Sequence, residues 1–280
     1  MEDGFLNKKV AFIIQARMKS TRLPGKILLP LPLDEGKPLL SWIIDELKKT
    51  KFINYQIIVA TSTNNENNIL ESFCASNNIS CYRGDEDDVL SRFVKITNQD
   101  SFDCIVRLTA DNPIIDIKIL EKLIKHHFEN NNDYTSTTGL PTGMNLEVIK
   151  SKALLDIENH VISNADKEHV TLFLRNSGKY STELFTFNFK QDYKTLRLTI
   201  DYPSDFALLS SILSLSLNTG LSGFELIENT YAKYPWLFET NQNNFQKKQF
   251  TNLDEEISEA VVFLEQFDFK KASQILKEIK

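Results

Sequence analysis

Residues 10–26 read V-A-F-I-I-Q-A-R-M-K-S-T-R-L-P-G-K. The apolar run at 10–14 has the composition of a strand buried on both faces. It opens directly into a loop with four cations (Arg17, Lys19, Arg22 and Lys26), two hydroxyls and the turn-forming pair Pro24-Gly25. A strand edge that ends in such a loop presents backbone N–H groups and fixed cations to one small volume, which is what a polyphosphate requires. The pattern is not a Walker loop, because Lys26 follows a single glycine and no Ser or Thr comes after it. The competing reading is a solvated basic loop. Position favours the cradle: Pro24-Gly25 bends the chain so that Arg17, Arg22 and Lys26 return toward the strand end, and Lys19 is the cation best left to solvent.

The rest of the chain extends that beginning. Short β-branched runs at 57–60 and 105–108 alternate with helical spacing at 39–47, 68–75 and 89–97, giving the order βαβαβαβ. That order predicts an α/β fold with a doubly wound, mainly parallel sheet, right-handed crossovers and helices on both faces. Ligands of such sheets collect at the carboxyl ends of the strands, where the basic loop lies. Beyond residue 133 the rhythm changes. Residues 134–138 are rich in hydroxyls, 139–145 hold turn residues, 146–149 read as a short strand and 166–175 as a helix. Alternation around Phe185, Phe187 and Phe189 predicts a half-buried antiparallel strand over 183–189. A short strand over 197–200 and an apolar helix over 204–217 follow. An insertion of mixed strands into such a sheet forms the wall of a substrate site. Residues 240–252 are rich in Asn and Gln and read as a linker before a charged helical tail, 253–280. There is no internal repeat.

Composition bounds the function. With 280 residues and a net charge of −6, the chain can bury a sizeable core but lacks the basic face that general nucleic-acid binding demands. Cys74, Cys81 and Cys104 are odd in number and lack metal-ligand spacing, so they read as buried thiols of a reducing compartment. No signal-peptide pattern opens the chain and no stretch has the length of a membrane span, so the expectation is a soluble, cytoplasmic protein with no membrane partner.

Two carboxylates stand out by position. Asp111 follows the strand at 104–108 and Asp201 the strand at 197–200, each beside a proline that stops the element. Both could face the cradle and carry Mg²⁺, which takes one or two carboxylates together with phosphate oxygens and waters. Each could equally cap the following helix. Asp116 and Ser204 are better placed as caps, which leaves Asp111 and Asp201 available for metal. In the acidic run at 85–88, Asp87 or Asp88 begins the next helix. His126, His127 and His160 read as exposed helical residues without function.

At this point the residues carry a family resemblance. Residues 10–26 resemble the opening signature of the CMP-sugar synthetases, most closely the cytidylyltransferases of spore-coat polysaccharide biosynthesis, and are similar to the 3-deoxy-manno-octulosonate cytidylyltransferases. Further matches, in order, are I-V-A-T-S (58–62), Y-R-G-D-E-D-D-V-L-S-R-F (82–93), V-R-L-T-A-D-N-P-I-I (106–115), N-L-E-V (145–148), K-E-H-V-T (167–171) and R-L-T-I-D-Y-P-S-D-F (197–206). The resemblance implies the nucleotide-diphospho-sugar-transferase fold, a Rossmann-like α/β domain over 1–240 with a CTP half at about 8–132 and an acceptor half at about 133–240. It implies that CTP joins an acceptor oxygen with release of pyrophosphate. Arg17, Arg22 and Lys26 would hold the triphosphate, while Asp111 and Asp201 carry Mg²⁺. Gln15, Ala16, Arg83, Gly84, Asp85 and Thr109 would line the nucleotide pocket. Where the octulosonate branch has Gln-Gly-Asp, this chain has Thr109-Ala110-Asp111, so its base recognition differs. A homodimer is implied as well.

Arg107, Asn145, Glu147 and His169 are the candidates for the acceptor, each with a plainer alternative. Glu147 could pair with a lysine, and His169 could be an interfacial histidine. Arg107 sits on a strand that should be buried, and a buried cation needs a partner; Asp85 or Glu86 could supply it. Three functions follow from these residues. The first is a cytidylyltransferase activating an acidic sugar such as an octulosonate or nonulosonate, for surface polysaccharide. The second is the same chemistry on a phosphorylated small molecule, giving a CDP-linked product. The third is a binding protein that keeps the fold without activity. A glycosyltransferase would want an Asp-x-Asp motif at a strand end, and none is so placed.

Overall fold

The computed structural model describes residues 4–34, 36–244 and 252–279. In chain order its elements begin with β1 (Val10–Gln15), a 3₁₀ turn at Lys26–Leu28, the short pair β2 (Pro30–Leu31) and β3 (Lys37–Pro38), and α1 (Leu39–Leu47). Next come β4 (Tyr55–Ser62), α2 (Asn68–Ser76), β5 (Ser80–Gly84), α3 (Val89–Gln99), β6 (Cys104–Thr109) and α4 (Ile117–Glu129). The second half holds β7 (Tyr134–Thr138), β8 (Glu147–Lys150), α5 (Ser151–Asp156), α6 (Asn164–His169), α7 (Leu172–Asn176), β9 (Thr182–Thr186), α8 (Pro203–Thr219) and α9 (Gly223–Lys233). α10 (Leu253–Gln266) and α11 (Lys270–Ile279) close the chain. The main sheet has seven strands in the order β5-β4-β1-β6-β8-β7-β9. β5, β4, β1 and β6 are mutually parallel, and β8 is antiparallel to both β6 and β7. The fold is therefore α/β with a mainly parallel, mixed sheet.

Period-2 burial makes this sheet the middle of three layers. Val10, Phe12 and Ile14 of β1, and Cys104, Val106 and Leu108 of β6, face a core shared with α1, α2, α4, α8 and α9. Ala11, Ile13 and Ile105 face the opposite core, with α3, α5 and α7. The odd-numbered positions Gln15, Arg107 and Glu147 belong by parity to this second face, where strand ends give way to polar side chains.

The structure revises several expectations. The strand expected over 183–189 is confined to β9, and it pairs parallel to β7. Alternation reports which faces a strand presents, not its neighbour's direction; here the direction follows from the helices α5 to α7 that carry the chain over from β8. Residues 197–200 form a single bridge, Thr142 with Arg197, instead of a strand. That segment is laid against Gly143, whose φ of 97° and 2.6 Å approach of a virtual Cβ to the Thr199 nitrogen leave room for no side chain. The helix expected over 166–175 breaks at Val170, a β-branched residue at φ 61°, between α6 and α7. Cys81 is half-buried, while Cys74 and Cys104 are buried as expected. Residues 245–251 of the expected linker lie outside the described residues, as do residues 1–3; a compact unit runs to Asn243, and α10 and α11 belong to a second unit, Asn244–Lys280. Among the described residues no single helix is long and apolar enough to cross a membrane.

His127 is a further correction: it is 1% exposed and bonds the Thr135 hydroxyl at 2.9 Å. The α4 surface it occupies covers β7, which places it inside. Burial, reinforced by Lys150, pushes its pKa down to about 4. The unfolded chain therefore takes up a proton that the native state resists, so stability present above the ordinary histidine pKa is lost as pH falls toward 4, by at most about 3 kcal/mol. Thermal melts at stepped pH check this: His127→Gln, which keeps a bond to Thr135, is expected to flatten the slope across that window.

Candidate active site

The basic loop is fixed to its neighbours by backbone bonds. The Ala16 N–H donates to the Ala60 carbonyl at 3.0 Å and the Gly25 N–H to Met18 at 3.1 Å. Met18 N–H donates to Asn67 Oδ1 at 2.8 Å, and the fully buried Asn67 donates in turn to Ser62 at 2.7 Å. Gly25 turns the chain back at φ 71°, a conformation that costs glycine little. These ties bring Lys26 to the carboxyl ends of the central strands β1 and β6, where it is 7% exposed. On the other side, Ala110 N–H donates to the Gln15 carbonyl at 3.0 Å and Ile200 N–H to the Asp111 carbonyl at 2.9 Å. The second bond joins two loops 89 residues apart in sequence and sets Asp111 beside Asp201.

Lys26 is the centre of the resulting cluster. Its ammonium lies 3.0 Å from Asp111 Oδ2 and 3.0 Å from Asp201 Oδ1, and it also donates to the Ile200 carbonyl. Arg22 reaches Asp201 Oδ1 at 3.3 Å and lies 4.5 Å over the Tyr202 ring. Arg197 donates to Asp201 Oδ2 at 2.9 Å. Burial alone would raise the Asp201 pKa, but Lys26, Arg22 and Arg197 outweigh it and hold the carboxyl below the usual carboxylate range. Neither carboxylate caps a helix: Asp116 caps α4 by accepting from Ile119 at 2.9 Å. At α8 the capping partner is Asp205, not Ser204, because Pro203 starts the helix and brings Asp205 round to the Tyr202 N–H at 2.9 Å.

A second polar group lies on the β6–β8 register, in which Arg107 stands opposite Glu147. Arg107 donates to Glu147 Oε2 at 2.6 Å and to Gln15 Oε1 at 3.1 Å. Its partner is thus Glu147, and neither Asp85 nor Glu86, which lie beyond β5 on the far side of two intervening strands. Glu147 Oε1 also accepts from the Tyr134 hydroxyl at 2.5 Å and from Thr171 at 2.9 Å. Burial pushes its pKa up, yet Arg107 and the two hydroxyls prevail and keep it ionised. Thr171 follows the strained Val170, and His169 ends α6 just before it. Asn145 is exposed, two residues before β8.

The other expected residues are distributed around these groups. Arg17 is largely exposed and pairs with Glu86 at 3.2 Å. Lys19 is exposed. Arg83 is held by the Ser62 and Asn64 carbonyls and by Glu71, between β4 and α2, apart from the Lys26 cluster. Gly84 leaves room for Arg92, whose Cγ would lie 2.7 Å from a Cβ there. Asp85 Oδ1 accepts from the Asp87 and Asp88 N–H groups, which hold its pKa down, and Asp88 caps α3. Thr109 accepts from Asn112 at 2.8 Å. Arg197, Asp205, Tyr134 and Thr171 carry no role in the sequence alone; all but Tyr134 sit in quoted motifs, and the spacing of Asp201 and Asp205 across a helix start was the available signal.

Comparison with known proteins bears on this geometry. Residues 11–257 match the family model described as cytidylyltransferase. The chain is 35% identical over 208 residues to the spore coat polysaccharide biosynthesis protein SpsF of Bacillus subtilis, an alignment covering 72% of this chain and 85% of that one. A solved cytidylyltransferase from Leptospira borgpetersenii superposes with a TM-score of 0.74 at 30% identity, over 87% of this chain and 100% of the other. A CMP:2-keto-3-deoxy-manno-octonic acid synthetase complexed with CTP shares the fold, with a TM-score of 0.54 at 15% identity over 75% of this chain and 100% of its own.

Proposed function

We propose, given that this chain belongs to the cytidylyltransferase family, that it transfers CMP from CTP to an acidic sugar of octulosonate or nonulosonate type, releasing pyrophosphate, in the making of a surface polysaccharide. The observation that carries the reading is the Lys26 ammonium seated between Asp111 and Asp201 with Arg22 beside it. An ammonium in that position is a stand-in cation, and two hard carboxylates around it are a donor set that suits Mg²⁺. Asp111 and Asp201 would hold the ion; when bound, it would neutralise phosphate charge and lower the pKa of an acceptor hydroxyl.

The remaining work falls to the chain's own side chains. Arg22 and Lys26 bind triphosphate oxygens, the first as a two-pronged fork and the second as a point charge. Fixed cations there stabilise the charge that spreads over the transferred group and the departing pyrophosphate. Arg17 joins them from the exposed rim, and Gln15, Ala16, Arg83, Gly84, Asp85 and Thr109 border the nucleotide. Arg107, Asn145, Glu147 and His169 face the acceptor. Glu147 already accepts from Arg107, Tyr134 and Thr171, so it orients Arg107 and does not act as the proton acceptor.

The test is pyrophosphate release from CTP and Mg²⁺ with a panel of acidic sugars and phosphorylated polyols. Release with an acidic sugar is expected; release only with a phosphorylated polyol would replace this reading with a CDP-forming one. CTP is also expected to raise the melting temperature more than ATP or GTP. At a hundred times its Kd, a ligand of the native state adds about 2.7 kcal/mol, which is several degrees for a body of this size. Equal shifts with all nucleotides would remove the base assignment.

A further inference from the structure

We infer that Arg197 is a positioning residue that fixes the orientation of Asp201, held in turn by the buried Asp205 and Asn241. The inference rests on the reading of Asp201 as a metal carboxylate. Arg197 is 7% exposed and Asp205 fully buried. The guanidinium meets Asp205 through two bonds, Nε to Oδ1 at 3.0 Å and one terminal nitrogen to Oδ2 at 3.1 Å. That same terminal nitrogen donates to Asp201 Oδ2 at 2.9 Å.

Three features separate this arrangement from a plain buried ion pair. First, the two carboxylate oxygens of Asp201 are divided: Oδ2 is engaged by Arg197, while Oδ1 faces Lys26 and Arg22. Second, Asp205 controls both ends of the contact. Its Oδ2 accepts the backbone N–H of Asp201 itself at 2.9 Å, as well as that of Tyr202. One carboxylate therefore sets where the Asp201 main chain sits and where the guanidinium that grips its side chain sits. Third, the support reaches the end of the body: Asn241 Nδ2 donates to Asp205 Oδ1 at 2.8 Å and to the Arg197 carbonyl at 2.9 Å. Asn241 is 1% exposed and lies on the last 3₁₀ turn, Pro235–Asn241. A carboxylate that must present one oxygen to a cation needs its other oxygen fixed, because free rotation about its terminal bond would exchange the two.

Arg197→Lys is the decisive variant. It keeps the positive charge but cannot span Asp205 and Asp201 together, as the planar fork does. Binding of Mn²⁺ to the full chain without CTP or acceptor, followed by electron paramagnetic resonance of the free ion, reads the affinity that Asp201 lends the site without turnover. Loss of a partner behind a metal ligand typically costs 10- to 100-fold, so an affinity loss of about tenfold is expected, with an unchanged circular dichroism spectrum. Asn241→Ala, which leaves the guanidinium and both carboxylates in place, is expected to shift affinity the same way by less. Asp201→Asn serves as the control. Should it lose Mn²⁺ binding while folded Arg197→Lys binds as the wild type does, the positioning role is wrong and the metal reading stands. If Arg197→Lys does not fold, wild-type binding in Asn241→Ala has the same meaning. Wild-type binding in Asp201→Asn overturns the metal reading, and the positioning role with it.

Discussion

Asp111→Asn and Asp201→Asn are each expected to fold and to lose turnover by about 100- to 1,000-fold, the scale seen when one preorganised electrostatic group is removed from a reacting centre. The fold should survive because the cluster is redundantly paired. With Asp201 neutral, Lys26 still has Asp111 at 3.0 Å and Arg197 still has Asp205 at 3.0 Å. Arg22 keeps the Tyr202 ring at 4.5 Å, and its side chain is 29% exposed, so water compensates part of the lost charge contact. Stability should therefore fall by about 1–2 kcal/mol. A helix cap would behave differently, since asparagine caps as well as aspartate and turnover would hardly change. The caps of these two helices are Asp116 and Asp205, which leaves Asp111 and Asp201 no helix to cap. Pyrophosphate-coupled turnover together with thermal melts separates the cases. In the same assay Arg22→Ala and Lys26→Ala should weaken CTP binding, and Lys19→Ala, on the exposed side of the loop, should do much less. Full turnover in both Asp→Asn variants would remove the mechanism proposed for Asp111 and Asp201.

The first half of the fold was legible in the sequence because each of its elements is signalled locally. β1, β4 and β6 are β-branched runs buried on both faces, α1 falls on the residues its periodicity marks, and Asp88 and Asp116 announce the starts of α3 and α4. The second half was less legible because its decisive features are pairings. The direction of β9 depends on three helices that carry the chain across, and the bridge at Arg197 depends on the approach of Gly143, 54 residues away. The candidate site divides along the same line. Lys26, Asp111 and Asp201 could each be picked out from its own loop, but the bond from Ile200 to Asp111 that brings the two carboxylates together has no local signature. His127 shows the converse failure: a histidine pair on a helix gives no sign of which member points inward until β7 covers it.

Arg107 and Glu147 give the largest expected change in stability. Their side chains are 17% and 16% exposed and their charges meet at 2.6 Å. Removing one charge of a buried pair leaves the other uncompensated, so Arg107→Met is expected to cost about 3–5 kcal/mol. Glu147 would then sit in the sheet with only the Tyr134 and Thr171 hydroxyls to hold it. Glu147→Gln on its own should be milder, because the amide oxygen still accepts from those hydroxyls and Arg107 keeps Gln15 at 3.1 Å. The double variant Arg107→Met with Glu147→Gln should recover a large part of the stability lost by Arg107→Met, since the uncompensated charge is gone. Urea titration measures that recovery, and it also divides two roles for the pair. If Arg107 only balances Glu147, turnover should return along with stability. If Arg107 contacts an acidic acceptor, the double variant should be stable yet keep a raised acceptor KM, because no cation then faces the acceptor carboxylate from β6. Recovery of stability and turnover together would take Arg107 out of the acceptor site and leave Asn145 and His169 as its candidates.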